Sequence, residues 1–520
     1  MVSAVRMDKF RRALIVVAPV LGAAVGWVLY RDGPFGGTLS GPASGCAAVA
    51  LVCAVWWMFE CLPIAVVGLV PMAVLPLLGS LSHTEAARMY GHPMIWLLMG
   101  GCMLSVAMQR TDAHRRVAVT MVRFVGGGRR RMVFGFMLAT AVLSMWISNS
   151  ATALMMVPIA GAVLSQYDDA KLRTPMLLGI AYAASIGGMA TPIGTPPNLV
   201  LLSYLEEQGR SLSFAQWMAF GIPVSVTLLP LAWLWITRNL KSEPESNSGD
   251  DRTSHVVMPK LPPLRSAETR VMLIFAATAI AWMTRTGPGG GWPVWFGLDR
   301  VAIDANGQLI LSDTTVAIMA CLILFVCPAG RDGIPAANPD AANPDAANKD
   351  AATADDPGPQ TLSPSNERLL DWPTAATIPW GIMLMFGGGL ALGESFKRTG
   401  LSQAFGDQLS FVAGASLVVT LAILCLAMNF LTELTSSTAT ANLMMPVLGL
   451  LAGATSLPPE TILLPATISC SCAFMLPVAT APNVVVFSAG GLTTGEMAKN
   501  GFVLNLVAAA TIVTLAVVLL

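Results

Sequence analysis

Apolar runs of bilayer length at 13–30, 44–60, 62–80 and 92–109 predict four membrane spans, because a hydrocarbon core about 30 Å thick takes roughly 20 helical residues to cross. The run at 132–164 is different, since Ser148-Asn149-Ser150-Ala151, with Thr152 and Pro158, interrupts it near its middle. It predicts a re-entrant helical hairpin. Next comes an apolar helix at 175–190, broken by Thr191-Pro192 and Pro196-Pro197, then a short helix and a span at 214–236. Spans at 270–285 and 312–327 follow. The remainder repeats the earlier order: a span at 374–396, a hairpin at 415–451 with Ser436, Ser437 and Thr438 central, a helix from 461 broken at Ala479–Pro482, and a last span ending at Leu520. The pattern predicts an all-α polytopic membrane protein of about 11 transmembrane helices plus two re-entrant hairpins.

The repetition is in register. The shift of 288 positions that carries Ser148 onto Ser436 also carries Gly100-Gly101 onto Gly388-Gly389, Arg110-Thr111 onto Arg398-Thr399, Ser144 onto Thr432, Thr152 onto Thr440 and Pro158 onto Pro446. If each hairpin returns to its own side, an odd number of crossings separates the equivalent spans, so the repeats are inverted. One tetrad of small polar residues is ordinary helix packing. Two tetrads in register, each followed by a broken helix (Gly194-Thr195-Pro196-Pro197-Asn198 and Ala479-Thr480-Ala481-Pro482-Asn483), mark the substrate site of a secondary transporter.

Composition agrees: 54% of residues are hydrophobic, 12% charged, and the mean hydropathy is +0.66, against about 25% charged in soluble domains. The formal net charge is zero, so no overall field argues for nucleic acid. Basic residues cluster after the fourth span (Arg110, Arg115, Arg116, Arg123, Arg129, Arg130, Arg131) and after 214–236 (Arg238, Lys241). The positive-inside rule puts both clusters in the cytoplasm, with the N-terminus inside as a retained first span and the C-terminus outside. The expected division is scaffold at 1–131, a first transport half at 132–238, a cytoplasmic linker at 239–268, scaffold at 269–327, a low-complexity disordered linker at 328–373 carrying the near-repeat Ala336–Asp340 and Ala341–Asp345, scaffold at 374–414, and a second transport half at 415–520. The nine cysteines lie mostly within apolar runs and read as small buried hydrophobes.

The paired motifs offer a distinct chemistry. Hydroxyls, carboxamides and the carbonyls of broken helices suit a small hard cation such as sodium, while the N-terminal ends of half-helices suit an anion. No Lys or Arg occurs at 141–166, 175–206 or 461–495, and Glu433 is the only charge in the second hairpin. A dianion buried there without compensation is prohibitive, so bound cations, helix ends and hydroxyls must neutralise it, which couples the two ligands. Glu60, Glu394 and Glu433 are intramembrane acids, functional by default but each near a span end or hairpin. The glycine runs Gly100-Gly101 and Gly387-Gly388-Gly389 read as close-packing sites, since no P-loop lysine follows. His92 and His114 sit at span ends, and no span sets a His or paired Asp as an intramembrane protease needs.

On Trp146–Ala153, Phe430–Thr440 and Ala473–Asn483 the chain resembles the divalent anion:sodium symporters, the sodium-coupled di- and tricarboxylate and sulfate carriers. The resemblance spans nearly everything outside the two linkers. It implies a first sodium site of Ser144, Ser148, Asn149 and Gly194, a second of Thr432, Thr435, Ser437 and Ala479, and substrate contacts from Asn149, Ser150, Ser437, Thr438 and Thr480. It also implies two or more sodium ions, no organic cofactor, and a homodimer whose scaffold carries both hairpins and both broken helices as an elevator. Position 150 is Ser where the family usually has Thr, and position 437 is Ser where it has Asn, which shortens a donor and acceptor at the second site. The expected function is sodium-coupled symport of C4-dicarboxylates (succinate, malate, fumarate) in a bacterial-type inner membrane, with no enzymatic activity. The alternatives are a sulfate or tricarboxylate symporter or a sodium-independent exchanger, and from other classes a passive anion channel or a membrane-embedded enzyme.

Overall fold

The computed structural model describes residues 2–31, 39–125, 128–165, 170–240, 261–286, 288–298, 311–330, 332–334, 367–401, 403–404, 416–453, 455 and 457–520. The helices are α1 (Val2–Arg31), α2 (Gly41–Met58), α3 (Ile64–Leu77), α4 (His83–Tyr90), α5 (Pro93–Arg110), α6 (Ala113–Val125), α7 (Arg129–Ser144), α8 (Asn149–Leu164), α9 (Ala170–Gly188), α10 (Pro196–Glu207), α11 (Phe214–Thr237), α12 (Ser266–Thr284), α13 (Gly291–Trp295), α14 (Asp313–Val326), α15 (Trp372–Ala375), α16 (Trp380–Arg398), α17 (Leu417–Leu434), α18 (Ser437–Gly453), α19 (Glu460–Ser469), α20 (Ala481–Ser488) and α21 (Thr494–Leu519). Their starts follow local chemistry. Ser82 with Glu85, Ser213 with Gln216 and Thr493 with Glu496 form reciprocal capping boxes that satisfy N–H groups at the polar ends of α4, α11 and α21.

Hairpins and broken helices stand where the sequence predicts them: α7 and α8 form the first hairpin, α17 and α18 the second, α9 with α10 and α19 with α20 the two interrupted helices. The repeats exchange partners. The arm α8 packs on α20 and α18 on α10, while α5 packs on α14 and α3 on α16. Glycine permits the last two approaches. A Cβ on Gly100 would sit 2.6 Å from that of Ala317, so Gly100 is the close-packing position expected of it, and Gly68, which the sequence does not single out, is another, since a Cβ there would sit 2.7 Å from the Leu384 carbonyl.

The arginine cluster after α5 holds a helix that the span pattern does not show. In α6 the apolar Ala118, Val119 and Val122 are buried while Arg116 forms an ion pair with Glu268 and donates to the carbonyls of Pro262 (2.8 Å) and Pro263 (3.1 Å). That period of three to four is the signature of a helix lying on a surface. Of the two linkers, 241–260 and 335–366 lie outside the described residues, and with them Lys241 and the near-repeat. The ends of the second linker are paired: the Ala329 N–H donates to the Glu367 carbonyl (2.8 Å) and the Leu369 N–H to that of Cys327 (3.0 Å).

Candidate functional site

Each broken helix must satisfy backbone groups that its interruption frees, and both do so alike. Asn198, in the first turn of α10, donates from Nδ2 to the carbonyls of Gly188 (3.0 Å) and Thr191 (2.8 Å) at the end of α9. Asn483, in the first turn of α20, donates to those of Ala473 (3.1 Å) and Leu476 (3.0 Å). The turns that follow match as well, with the Gly194 N–H on the Thr191 carbonyl (3.3 Å) and the Ala479 N–H on that of Leu476 (3.2 Å). Gly221 of α11 and Gly501 of α21 abut the breaks. A Cβ there would lie 2.6 Å from the Met189 carbonyl oxygen and 2.1 Å from that of Phe474.

The breaks are tied to the hairpins by opposite chemistry. In the first repeat the Thr191 hydroxyl donates to the Met145 carbonyl. In the second, Glu433 at the end of α17 accepts the N–H of Met475 (2.8 Å) and Leu476 (2.9 Å) and the Asn505 carboxamide (2.7 Å). A buried carboxylate with three N–H donors is a satisfied structural acceptor. Of the other acids, Glu60 lies in a loop beside Arg11 (3.4 Å) and Glu394 lies near the end of α16.

A cavity of about 2400 Å³ joins the two motifs of both repeats. It is lined by Ser148, Asn149, Ser150 and Gly194 from the first repeat and by Thr435, Ser437, Thr438, Ala479 and Thr480 from the second. The N-termini of α8, α10, α18 and α20 all end on it, so four positive helix ends meet there. Its basic lining, Arg11, Arg110, His114 and Arg115, comes from α1, α5 and α6 and not from the hairpins or breaks.

Two of the residues expected from the sequence do not reach the cavity. Ser144 is fully buried behind Asn149, and Thr432 is fully buried with its hydroxyl on the Met428 carbonyl (2.8 Å). Ser144 is nevertheless part of a cluster. Its hydroxyl donates to the Ala184 carbonyl (2.7 Å) and lies 2.6 Å from the Asn149 carboxamide oxygen. That oxygen also faces the carbonyls of Ala184 (3.2 Å) and Gly194 (3.3 Å). One hydroxyl proton cannot serve four oxygens. The cluster is satisfied either by turning the amide so that its nitrogen donates, or by a cation among the four oxygens. Ser148 caps α8, its hydroxyl accepting from the Ala151 N–H (3.3 Å). In the second repeat Thr435 bonds to the Leu431 carbonyl (2.8 Å) and to the Thr440 hydroxyl, and Ser437 takes the place of Asn149.

Unsatisfied hydroxyls complete the site. Thr480 has a buried hydroxyl with no partner among the described residues, and so have Ser185 and Ser471, which also line the cavity. The sequence reading missed this last pair. Ser185 is a single Ser in the apolar α9 and Ser471 lies in the turn just after α19, both in apolar surroundings that packing serines share.

A model of the citrate transporter family (CitMHS) matches residues 54–457. The sodium-dependent dicarboxylate transporter SdcS of Staphylococcus saprophyticus is 32% identical over 90% of this chain and 84% of its own length, and that of Staphylococcus aureus strain RF122 matches at the same identity and coverage. Among solved structures, the YdaH transporter of Alcanivorax borkumensis superimposes with a TM-score of 0.51 and 15% identity over 81% of this chain and 84% of its own, a likeness of fold. With the paired hairpins and breaks meeting in one cavity, these matches establish the chain as a multi-pass membrane transporter belonging to the divalent anion:sodium symporter family.

Proposed function

We propose that this protein carries C4-dicarboxylates such as succinate, malate or fumarate across the inner membrane together with two or more sodium ions. The observation that carries this reading is the meeting of two polar tetrads and two helix breaks in one cavity, where the hairpins and breaks contribute hydroxyls, the Asn149 carboxamide and helix N-termini but no basic side chain. A dicarboxylate has two anionic ends, and the site has two equivalent halves. Asn149 and Ser150 face one end, and Ser437, Thr438 and Thr480 the other. The oxygen cluster of Ser144, Asn149, Ala184 and Gly194 is the first sodium site, with Ser148 capping the helix that presents Asn149. Thr432, Thr435, Ser437 and Ala479 form its counterpart. Sodium charge at both ends lowers the cost of burying a dianion, so anion affinity follows cation occupancy. That the related SdcS proteins carry the name of sodium-dependent dicarboxylate transporters supports the same assignment.

The packing supports an elevator. Helices α7 to α11 and α17 to α21 contact one another as one group, and α2 to α5, α12, α14 and α16 as another, while α6 of the expected scaffold segment packs chiefly on α7. By the positive-inside rule the Arg110, Arg115 and Arg116 end is cytoplasmic, with the N-terminus inside and the C-terminus outside. Arg110 and Arg115 line the cavity, which supports an inward-facing state. At the other end Lys397 holds the Glu207 carbonyl (3.3 Å) and Arg210 pairs with Glu460 (3.2 Å). A homodimer through the scaffold follows the family. The test is uptake of radiolabelled succinate into proteoliposomes, with and without an inward sodium gradient, and with succinate or nothing inside. Accumulation requiring external sodium is expected. Uptake that ignores sodium and requires internal succinate would make the protein an exchanger, and no uptake of succinate would move the substrate to sulfate or citrate.

A further inference from the structure

The two asparagines that close the breaks are fully buried, and the carboxamide oxygen of each has no hydrogen-bond partner among the described residues. A buried unpaired acceptor is costly, and here the same one occurs at equivalent places in both repeats. The side chains are therefore held for their donors. Each Nδ2 spans the same pair of carbonyls, ten and seven residues earlier in the chain, and so clamps the break to the first turn of the half-helix that follows it. Between those anchor points lies the turn from Thr191 to Gly194, or from Leu476 to Ala479. Its last residue lines the cavity in each repeat, and in the first its carbonyl lies 3.3 Å from the end of the Asn149 carboxamide.

We infer that Asn198 and Asn483 are positioning residues for the two cation sites, each fixing the break carbonyl of its own repeat, Gly194 or Ala479, against the hydroxyls and carboxamide of the hairpin. The inference rests on the sodium-coupled reading above. Side-chain chemistry makes Asn specific here. Asp has the same shape but sets acceptors against two carbonyls, Gln is a methylene too long for the buried turn, and Ser supplies a single donor at shorter reach. The clamp touches neither the anion nor the cation, so its loss acts on cation affinity first.

The experiment compares wild type with Asn198→Asp, Asn483→Asp and Asn198→Ser, each full length in proteoliposomes, measuring the sodium concentration for half-maximal succinate uptake and the succinate KM at saturating sodium. Sodium-dependent stabilisation of each purified variant is read alongside as the Tm in sodium minus that in choline. Wild-type uptake that does not respond to sodium would overturn the reading beneath, whatever the variants do. With wild type sodium-dependent, both Asp variants are expected to need at least tenfold more sodium and to lose most of the sodium-induced Tm gain, with succinate KM within threefold at saturation. The Asn198→Ser variant falls between. A merely structural role would lower Tm equally in sodium and choline and leave the half-maximal sodium concentration in place, and that result would overturn the inference. Should an Asp variant not fold, Asn198→Ser decides by the same two readouts.

Discussion

The carboxylate of Glu433 receives the backbone N–H of Leu476 at 2.9 Å, which fastens the second hairpin to the second helix break. Its other oxygen takes the Met475 N–H and the Asn505 amide, and Asn505 cannot turn over because its own oxygen accepts from the Phe474 N–H (3.2 Å). Glu433→Gln keeps the shape but puts an amide against one of these N–H groups. Leaving a buried donor unmet costs about 1–3 kcal/mol, so the purified variant is expected to lose several degrees of Tm in sodium and choline alike. A Tm equal to wild type would show that the break does not depend on the carboxylate.

In the first repeat the corresponding vulnerability is Gly188. A Cβ there would sit 2.6 Å from the Asn149 carboxamide oxygen, closer than side-chain atoms pack, and the far end of Asn149 is what must move. Gly188→Ala is expected to raise the half-maximal sodium concentration about tenfold, roughly 1.4 kcal/mol, with little loss of Tm. Unchanged sodium dependence would separate Asn149 from the first cation site.

Asn149 tests the same site directly. Asn149→Ala removes a group from both the oxygen cluster and the cavity wall. It is expected to reduce sodium-driven succinate uptake at least a hundredfold while the protein still folds, as judged by gel filtration and Tm in choline. Wild-type uptake would remove the first tetrad from the mechanism.

The architecture could be read from the chain because membrane spans are written in run length, and the two hairpins in the polar interruptions at Ser148 and Ser436. Register carried the site as well, since the same shift that aligned the tetrads aligned Ser144 with Thr432. Helix α6 escaped the span pattern because a surface helix such as Ala113–Val125 has no long apolar run, only alternation of Arg115 and Arg116 with Ala118, Val119 and Val122. Ser185 and Ser471 were not legible, because whether a lone hydroxyl meets a neighbour or a cavity depends on packing between distant helices. Glu433 was visible as an isolated charge, but only the fold shows that its three partners are all N–H donors.

Arg110, which lines the cavity, pairs with Asp371 at 2.6 Å. Partial burial would raise the Asp371 pKa, but hydrogen bonds from Thr374 and the Arg110 charge outweigh it and leave the pKa below the usual carboxylate value. A lowered folded pKa contributes stability above the unfolded value of about 3.9 and loses it as pH falls through the folded value. Because Asp371 is 42% exposed, solvent screening holds the pair to roughly 1 kcal/mol or less. Asp371→Asn should therefore lower Tm slightly at pH 6 and converge with wild type once pH falls below the folded pKa. A constant difference across that range would assign the effect to packing.

Ser437 decides how alike the two halves are. It stands where Asn149 stands in the first repeat, and a hydroxyl in place of a carboxamide is one heavy atom shorter in reach and offers a single proton. If the second cation site is the weaker for this, Ser437→Asn supplies a carboxamide oxygen to the cavity that Thr435 and Ala479 also line. The variant is expected to reach half-maximal uptake at several-fold lower sodium and to show a steeper sodium dependence, while the wild type saturates later and more gradually. The measurement is the sodium titration of succinate uptake at fixed external succinate, with the membrane potential clamped by potassium and valinomycin. An unchanged titration would mean that position 437 contributes to anion contact alone, and a loss of uptake with normal Tm would mean that the shorter side chain leaves room the anion itself needs.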